Sequence, residues 1–188
     1  LTFIEEYLKG QGVCLTRTRE PGGTELGEKI RSLLLHETRM VAEAELLLVF
    51  ASRAQHLEEV IRPALAQGQW VLCDRFTDAS YAYQGRGRGV PLERIQALEE
   101  WIVGLLRPDM TLLLDTPVAV GLGRARARGP QDRFEQEAES FFDRVRAGYL
   151  DRWNEDPSRL RKIDASLPLE QVQEAIRREL DRLLEASR

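Results

Sequence analysis

The chain has 188 residues, 43% hydrophobic and 31% charged, which suits a single soluble globular domain with one core. A net charge of −4 excludes a global positive field for nucleic acid or an anionic membrane, so any anion site must be local. The longest apolar runs, around Leu46–Ala51 and Met110–Leu114, are too short to span a bilayer, and Cys14 and Cys73 have no metal spacing and read as small buried residues in a reducing cytoplasm.

Leu1 to Gly10 carries Phe3, Ile4, Tyr7 and Leu8 at helical spacing and stops at Gly10 and Gly12. Gly12 to Thr18 reads as a strand, Arg19 to Gly23 as a turn, and Thr24 to Leu35 as a helix with Thr24 as N-cap. A long apolar helix is expected over Ala42–Ala66, bent near Pro63, then a strand over Gln69–Cys73. Pro91–Leu106 is helical, Met110–Leu114 a strand, Val118–Arg128 and Glu135–Trp153 helices, Arg161–Asp164 a strand and Leu169–Leu184 an amphipathic helix. Four short strands alternating with helices predict an α/β fold, a parallel sheet with helices on both faces. In such a layout a strand should precede the first helix, so the chain is expected to be N-terminally incomplete, with residues 1–188 forming one domain.

Five groups of residues carry chemistry. Asp74-Arg75 closes an apolar strand, where an α/β sheet builds its ligand site; Arg75 suits a phosphate, and Asp74 suits orienting that arginine or holding hydrated Mg²⁺. Ser80, Tyr83 and Gln84 can form one wall of hydroxyl, ring and amide for a polar heterocycle and its sugar. The Glu20-Pro21 turn lies at the same sheet edge, and Arg31 on the next helix can reach back to it. Phe50 and Arg53, three apart on a helix, can stack on a base and donate to its edge. Arg124, Arg128 and Arg133 flank a Gly-Pro break and suggest a lid over polyphosphate near 124–137. His36 and His56 have no triad or metal partners at recognisable spacing and are expected at the surface or at helix ends.

Together TREPGG at Thr18–Gly23, LLLVFASRAQH at Leu46–His56, CDRF with ASYAYQG between Cys73 and Gly85, RPD at Arg107–Asp109 and RARARG with DRFEQE between Arg124 and Glu137 resemble the bacterial thymidylate kinase family. The resemblance runs in order over nearly the whole chain. It implies a P-loop kinase-type parallel sheet, five-stranded when complete, a homodimer, and transfer of a phosphoryl group from ATP to dTMP with Mg²⁺. By position, Arg75 would bind the acceptor phosphate with Asp74 beside the reacting centre. Phe50 would stack on thymine, Arg53 would meet its carbonyl edge, and Ser80 and Gln84 would line the base pocket. Tyr83 would lie against the deoxyribose, and Arg31 with Glu20-Pro21 would close the site. Arg128 would stabilise the transferred phosphoryl group, with Arg124 or Arg133 at the donor nucleotide. The family's GxxxxGK[ST] is not present in these residues, and a strand carrying it is expected upstream. A kinase for another pyrimidine nucleotide and a non-catalytic nucleotide-binding homologue remain alternatives.

Overall fold

The computed structural model describes residues 1–37, 39–127 and 132–187. Helix α1 (Thr2–Gly10) leads through a glycine turn into strand β1 (Leu15–Arg19), and α2 (Glu25–His36) follows. Its N-cap is Thr24, as its sequence position predicts: the hydroxyl accepts the Gly27 N–H at 2.9 Å. Helix α3 (Ala42–His56) runs into a π turn (Leu57–Ile61) and then α4 (Arg62–Ala66). The expected bend at Pro63 therefore takes the form of a π turn just before it. Proline has no N–H to give to the preceding turn, and the Arg62 N–H bonds back to the Leu57 carbonyl, five residues away.

Strand β2 (Trp70–Asp74), α5 (Thr77–Ser80) and a second π turn (Tyr81–Gly87) come next, followed by α6 (Leu92–Ile102). Helix α6 ends four residues before the predicted boundary because Gly104 takes a left-handed φ of 65°. Strand β3 (Thr111–Asp115), α7 (Val118–Arg126), α8 (Glu139–Glu155), β4 (Leu160–Asp164) and α9 (Leu169–Ala186) complete the order. Helix α8 starts later than predicted, since Asp132 Oδ1 accepts the N–H groups of Phe134 and Glu135, both at 2.9 Å, and holds that stretch as a turn.

The four strands of the described residues are parallel-paired, but in two pairs rather than one sheet. β1 lies on β2 with Leu15 opposite Trp70, and β3 lies on β4 with Thr111 opposite Leu160. Among the described residues no strand joins β2 to β3, and a cavity of about 1040 Å³ lies between them. Apolar runs reveal how many strands there are, not which edges meet; that is why the single sheet was expected.

Alternation along β2 places helices on both faces. Trp70 and Leu72 pack with Ile4 and Leu8 of α1 and Ile176 and Leu180 of α9, whereas Val71 packs with Leu57, Ile61 and Val103. Helix α8 lies tightly against the second π turn because small residues permit it. A Cβ on Gly87 would stand 2.8 Å from the Phe141 ring, and one on Gly148 would stand 2.8 Å from the Ala82 backbone. Cys73 is partly buried and its thiol is pushed up by burial, but Cys14 is exposed, contrary to the sequence reading. It precedes β1 rather than lying inside it. No helix of the described residues is long and apolar enough to cross a membrane.

Candidate active site

The C-terminal ends of β1 and β2 meet at one point. The Glu20 N–H donates to the Asp74 carbonyl at 2.9 Å, so the β1–α2 turn is tied to the end of β2. Asp74 is exposed on the cavity. Arg75 follows with φ 71°, the only non-glycine residue in the left-handed region among the described residues. Strain of this kind, about 1–3 kcal/mol, persists where surrounding structure holds it and clusters at functional sites.

The Arg75 guanidinium is open to the cavity while ringed by protein atoms, with its carbon 5.4 Å from the Tyr83 ring centroid. Tyr83 raises its pKa, against burial, and Tyr149, Asp74 and Asp132 add to the rise. Among the described residues it has no hydrogen-bond or ion-pair partner. Arg31 lines the same cavity and donates to the Pro21 carbonyl at 3.0 Å. Burial lowers its pKa first, and repulsion from Arg19 and Arg75 lowers it further. Cations crowded around one concave surface in an acidic protein are relieved by an anion.

A buried network forms another part of the cavity wall. Glu20 Oε2 accepts from Arg53 Nε at 2.8 Å, and Arg53 Nη1 donates to Ser80 Oγ at 3.1 Å. Arg53 is 1% exposed and Glu20 3%, a pairing that removes the cost of burying either charge alone. His56 completes the group: Nδ1 lies 3.0 Å from Glu20 Oε1 and Nε2 lies 2.6 Å from Thr18 Oγ1. Of the two positions expected for His56, the helix end is what the structure shows, since it closes α3, but it is fully buried rather than at the surface, while His36 is exposed. Ser52, Arg53 and His56 share one face of α3 and grip the turn after β1. Ser52 Oγ accepts the Gly22 N–H at 3.2 Å, and the Glu20-Pro21 bond within the turn is cis.

Phe50 does not line the cavity. Its ring is buried among Leu46, Tyr81, Val90 and Ile95 and lies beneath the Arg53 guanidinium at 4.5 Å. The residues that do line it beside Arg53 are Val49 and Phe76, and the Phe76 ring centroid is 5.4 Å from the same guanidinium. Stacking by Phe50 on a base is therefore incompatible with its place; a helix turns by about 100° per residue, so Val49 rather than Phe50 points into the cavity. Ser80, Tyr83 and Gln84 all line it. Tyr83 is braced edge-on by Phe134, Phe141 and Tyr149.

Gln84 donates to Glu45 at 2.9 Å. Glu45, fully buried and not singled out from sequence, also takes Arg88 at 3.1 Å and Arg133 at 2.6 Å. Its one signal was a carboxylate inside an apolar helix, which demands cationic partners. Arg133 is thereby anchored to α3, and its Nε donates to the Leu34 carbonyl at 2.8 Å. Arg124 is exposed and donates to the Ala165 carbonyl at 2.7 Å. Neither guanidinium faces Arg75's side of the cavity in this conformation; Arg128 lies outside the described residues.

Among the described residues no three His, Cys, Asp or Glu side chains form a metal-sized cluster. A single exposed carboxylate such as Asp74 still suits Mg²⁺, which keeps several waters and binds through one or two carboxylates plus substrate phosphates. The whole arrangement can bind a monoanionic or dianionic head at Arg75 and Arg31, with a planar polar group against Arg53, Ser80 and Gln84.

Comparison with known proteins accords with that geometry. The family model described as thymidylate kinase matches residues 1–176. The chain is similar to the thymidylate kinase of Pseudomonas savastanoi pv. phaseolicola, 58% identical over 99% of this chain and 90% of that one. It is also similar to that of Teredinibacter turnerae, 56% identical over 98% and 91%. Among solved structures, the crystal structure of thymidylate kinase from Ehrlichia chaffeensis superposes with a TM-score of 0.75 at 31% identity, covering 96% of this chain and 88% of that chain. The chain belongs to the thymidylate kinase family.

Proposed function

We propose that the protein transfers the γ-phosphoryl group of ATP to dTMP, giving dTDP and ADP. The observation that carries this reading is that the Arg75 guanidinium, with no hydrogen-bond or ion-pair partner among the described residues, lines one cavity together with Arg53, Glu20 and Ser80, in a chain whose residues 1–176 match the thymidylate kinase family model. Such transfer needs little covalent chemistry from the protein. Catalysis comes from positioning the acceptor oxygen and neutralising phosphoryl charge.

Arg75 holds the acceptor phosphate by charge-assisted hydrogen bonds, with Arg31 adding positive potential across the Pro21 turn. Glu20 and the rings of Phe50 and Phe76 fix the Arg53 guanidinium so that its free edge meets the carbonyl side of the base. Ser80 and Gln84 complete the polar wall, and the braced ring of Tyr83 stands where a 2′-hydroxyl would crowd it. Phe76, not Phe50, offers a ring to the base.

Asp74 would hold Mg²⁺ through water together with phosphate oxygens, and the ion would supply charge neutralisation on the phosphates. Arg128 would approach the transferred group from a lid near 124–137, with Arg124 and Arg133 redirected to the donor on closure. Helix α3 exposes Leu47 and helix α6 exposes Trp101, apolar surface suited to a homodimer in the cytoplasm. Neither nucleic acid nor membrane is a partner in this reading, in keeping with the net charge of −4.

An acceptor panel tests the reading. With ATP and Mg²⁺, ADP formation should be fastest with dTMP. The rate should fall by roughly 10–200-fold in kcat/KM with dUMP, the loss expected for one methyl group in an apolar contact. It should be near background with thymidine, which lacks the phosphate for Arg75. Equal rates with dCMP and dTMP would contradict the assignment.

A further inference from the structure

We infer that His56, held as its Nδ1–H tautomer by Thr18, is a positioning residue that sets acceptor recognition through Glu20 and Arg53. Both ring nitrogens are engaged, and the ring is fully buried. An ionised carboxylate can only accept, so the proton must sit on Nδ1, and Nε2 then accepts from the Thr18 hydroxyl. Glu20 and Arg53 already form a balanced buried pair, so an imidazolium would add an uncompensated charge in the same pocket. The neutral ring therefore acts as a spacer of fixed polarity. It links the end of β1 to one oxygen of Glu20, and the other oxygen aligns Arg53 Nε. Without it, Glu20 has only one tether to α3 and can rotate, taking the guanidinium with it. The turn backbone packs directly on the ring: a Cβ on Gly23 would stand 2.7 Å from His56 Cδ2.

The inference rests on the reading of Arg53 as the base-facing group. Its tests separate the two. Long-range ¹⁵N–¹H spectra of the imidazoles need no activity, and only His36 and His56 contribute. A His36→Gln variant assigns the signals. A proton on His56 Nδ1 with a pyridine-like Nε2 is expected; a proton on Nε2, or on both nitrogens, overturns the proposal.

Kinetics then test the role. His56→Gln places its amide near Thr18 and abandons Glu20, so the KM for dTMP should rise about tenfold, with kcat per folded site and the KM for ATP changed by less than about threefold. His56→Asn keeps an N–H at the Nδ1 position and should stay within about threefold of wild type. An unchanged dTMP KM in His56→Gln, or equal rises in both variants, overturns it. If neither variant folds, Thr18→Val, which removes the donor to Nε2, must still raise the dTMP KM by about threefold or more; an unchanged value overturns it. A wild-type protein that forms no ADP with dTMP would instead sink the proposed function, leaving the imidazole spectrum to decide the tautomer.

Discussion

In an Arg75→Gly protein, kcat for dTMP should fall by about a thousandfold, the scale on which charge-stabilising donors at a transferring phosphoryl group act, while the thermal midpoint stays at or above that of the wild type. The two halves of this result have separate causes. Turnover falls because the Arg75 guanidinium has no hydrogen-bond or ion-pair partner among the described residues, only the Tyr83 ring beside it, and lines the cavity. Stability holds because φ at this position is 71°, a conformation glycine adopts without steric cost. Arginine is thus a poor choice for the backbone and is explained by what its side chain binds. An Arg75→Gly protein with near wild-type turnover, measured by coupled ADP release, would remove Arg75 from the mechanism. One with a much lower midpoint would mean that the arginine serves the fold.

Removing Asp78 should have the largest effect on stability. Its carboxylate is 3% exposed and bidentate with Arg159, at 2.8 and 2.9 Å, and it also takes Arg152 Nε at 3.1 Å. It therefore ties α5 to α8 and to the segment entering β4. Asp78→Ala removes the buried acceptor that Arg152 and Arg159 share and leaves them only Glu155, Asp156 and Thr111, a loss of about 3 kcal/mol, or roughly 10 °C in Tm for a domain of this size. Burial alone would raise the Asp78 pKa, but hydrogen bonding and attraction from Arg159 and Arg152 outweigh it and hold the carboxyl below its ordinary 3.8. A depressed folded-state pKa adds stability that is present above the unfolded value and is lost as pH falls through the folded one. Denaturant titrations should therefore show the wild type losing its advantage over Asp78→Ala only below about pH 4. A difference that is constant down to pH 2 would show that the ion pairs are not its source.

What could be read from the sequence divides along contact range. Asp74-Arg75, the Glu20-Pro21 turn and the Arg53 helix were legible because each is a local pattern whose residue types imply its chemistry. Glu45 and His56 were not. Their partners stand 36 to 88 residues away: those of His56 meet it only when α3 packs on the end of β1 and the turn after it, and those of Glu45 only when the second π turn and the stretch around Arg133 pack on α3. Phe50 was misread because residues 49 and 50 differ by a single step on the helix, and only packing against Ile95 and Tyr81 takes Phe50 away from the cavity that Val49 lines. The strands were found in number, but their split into two parallel pairs depends on edge partners that an apolar run does not specify. Helix ends slipped where a side chain or a glycine conformation competed with the helix, as at Asp132 and Gly104.

The central claim is that this cavity recognises a nucleoside monophosphate through Arg75. Calorimetric titration of dTMP and thymidine into wild-type and Arg75→Gly protein closes a cycle around that contact. The wild type should bind dTMP at least about tenfold more tightly than thymidine, and the variant should bind the two within about threefold of each other, since a charge-assisted hydrogen bond contributes about 1.5–3 kcal/mol. A variant that keeps the full wild-type preference for dTMP would contradict the account.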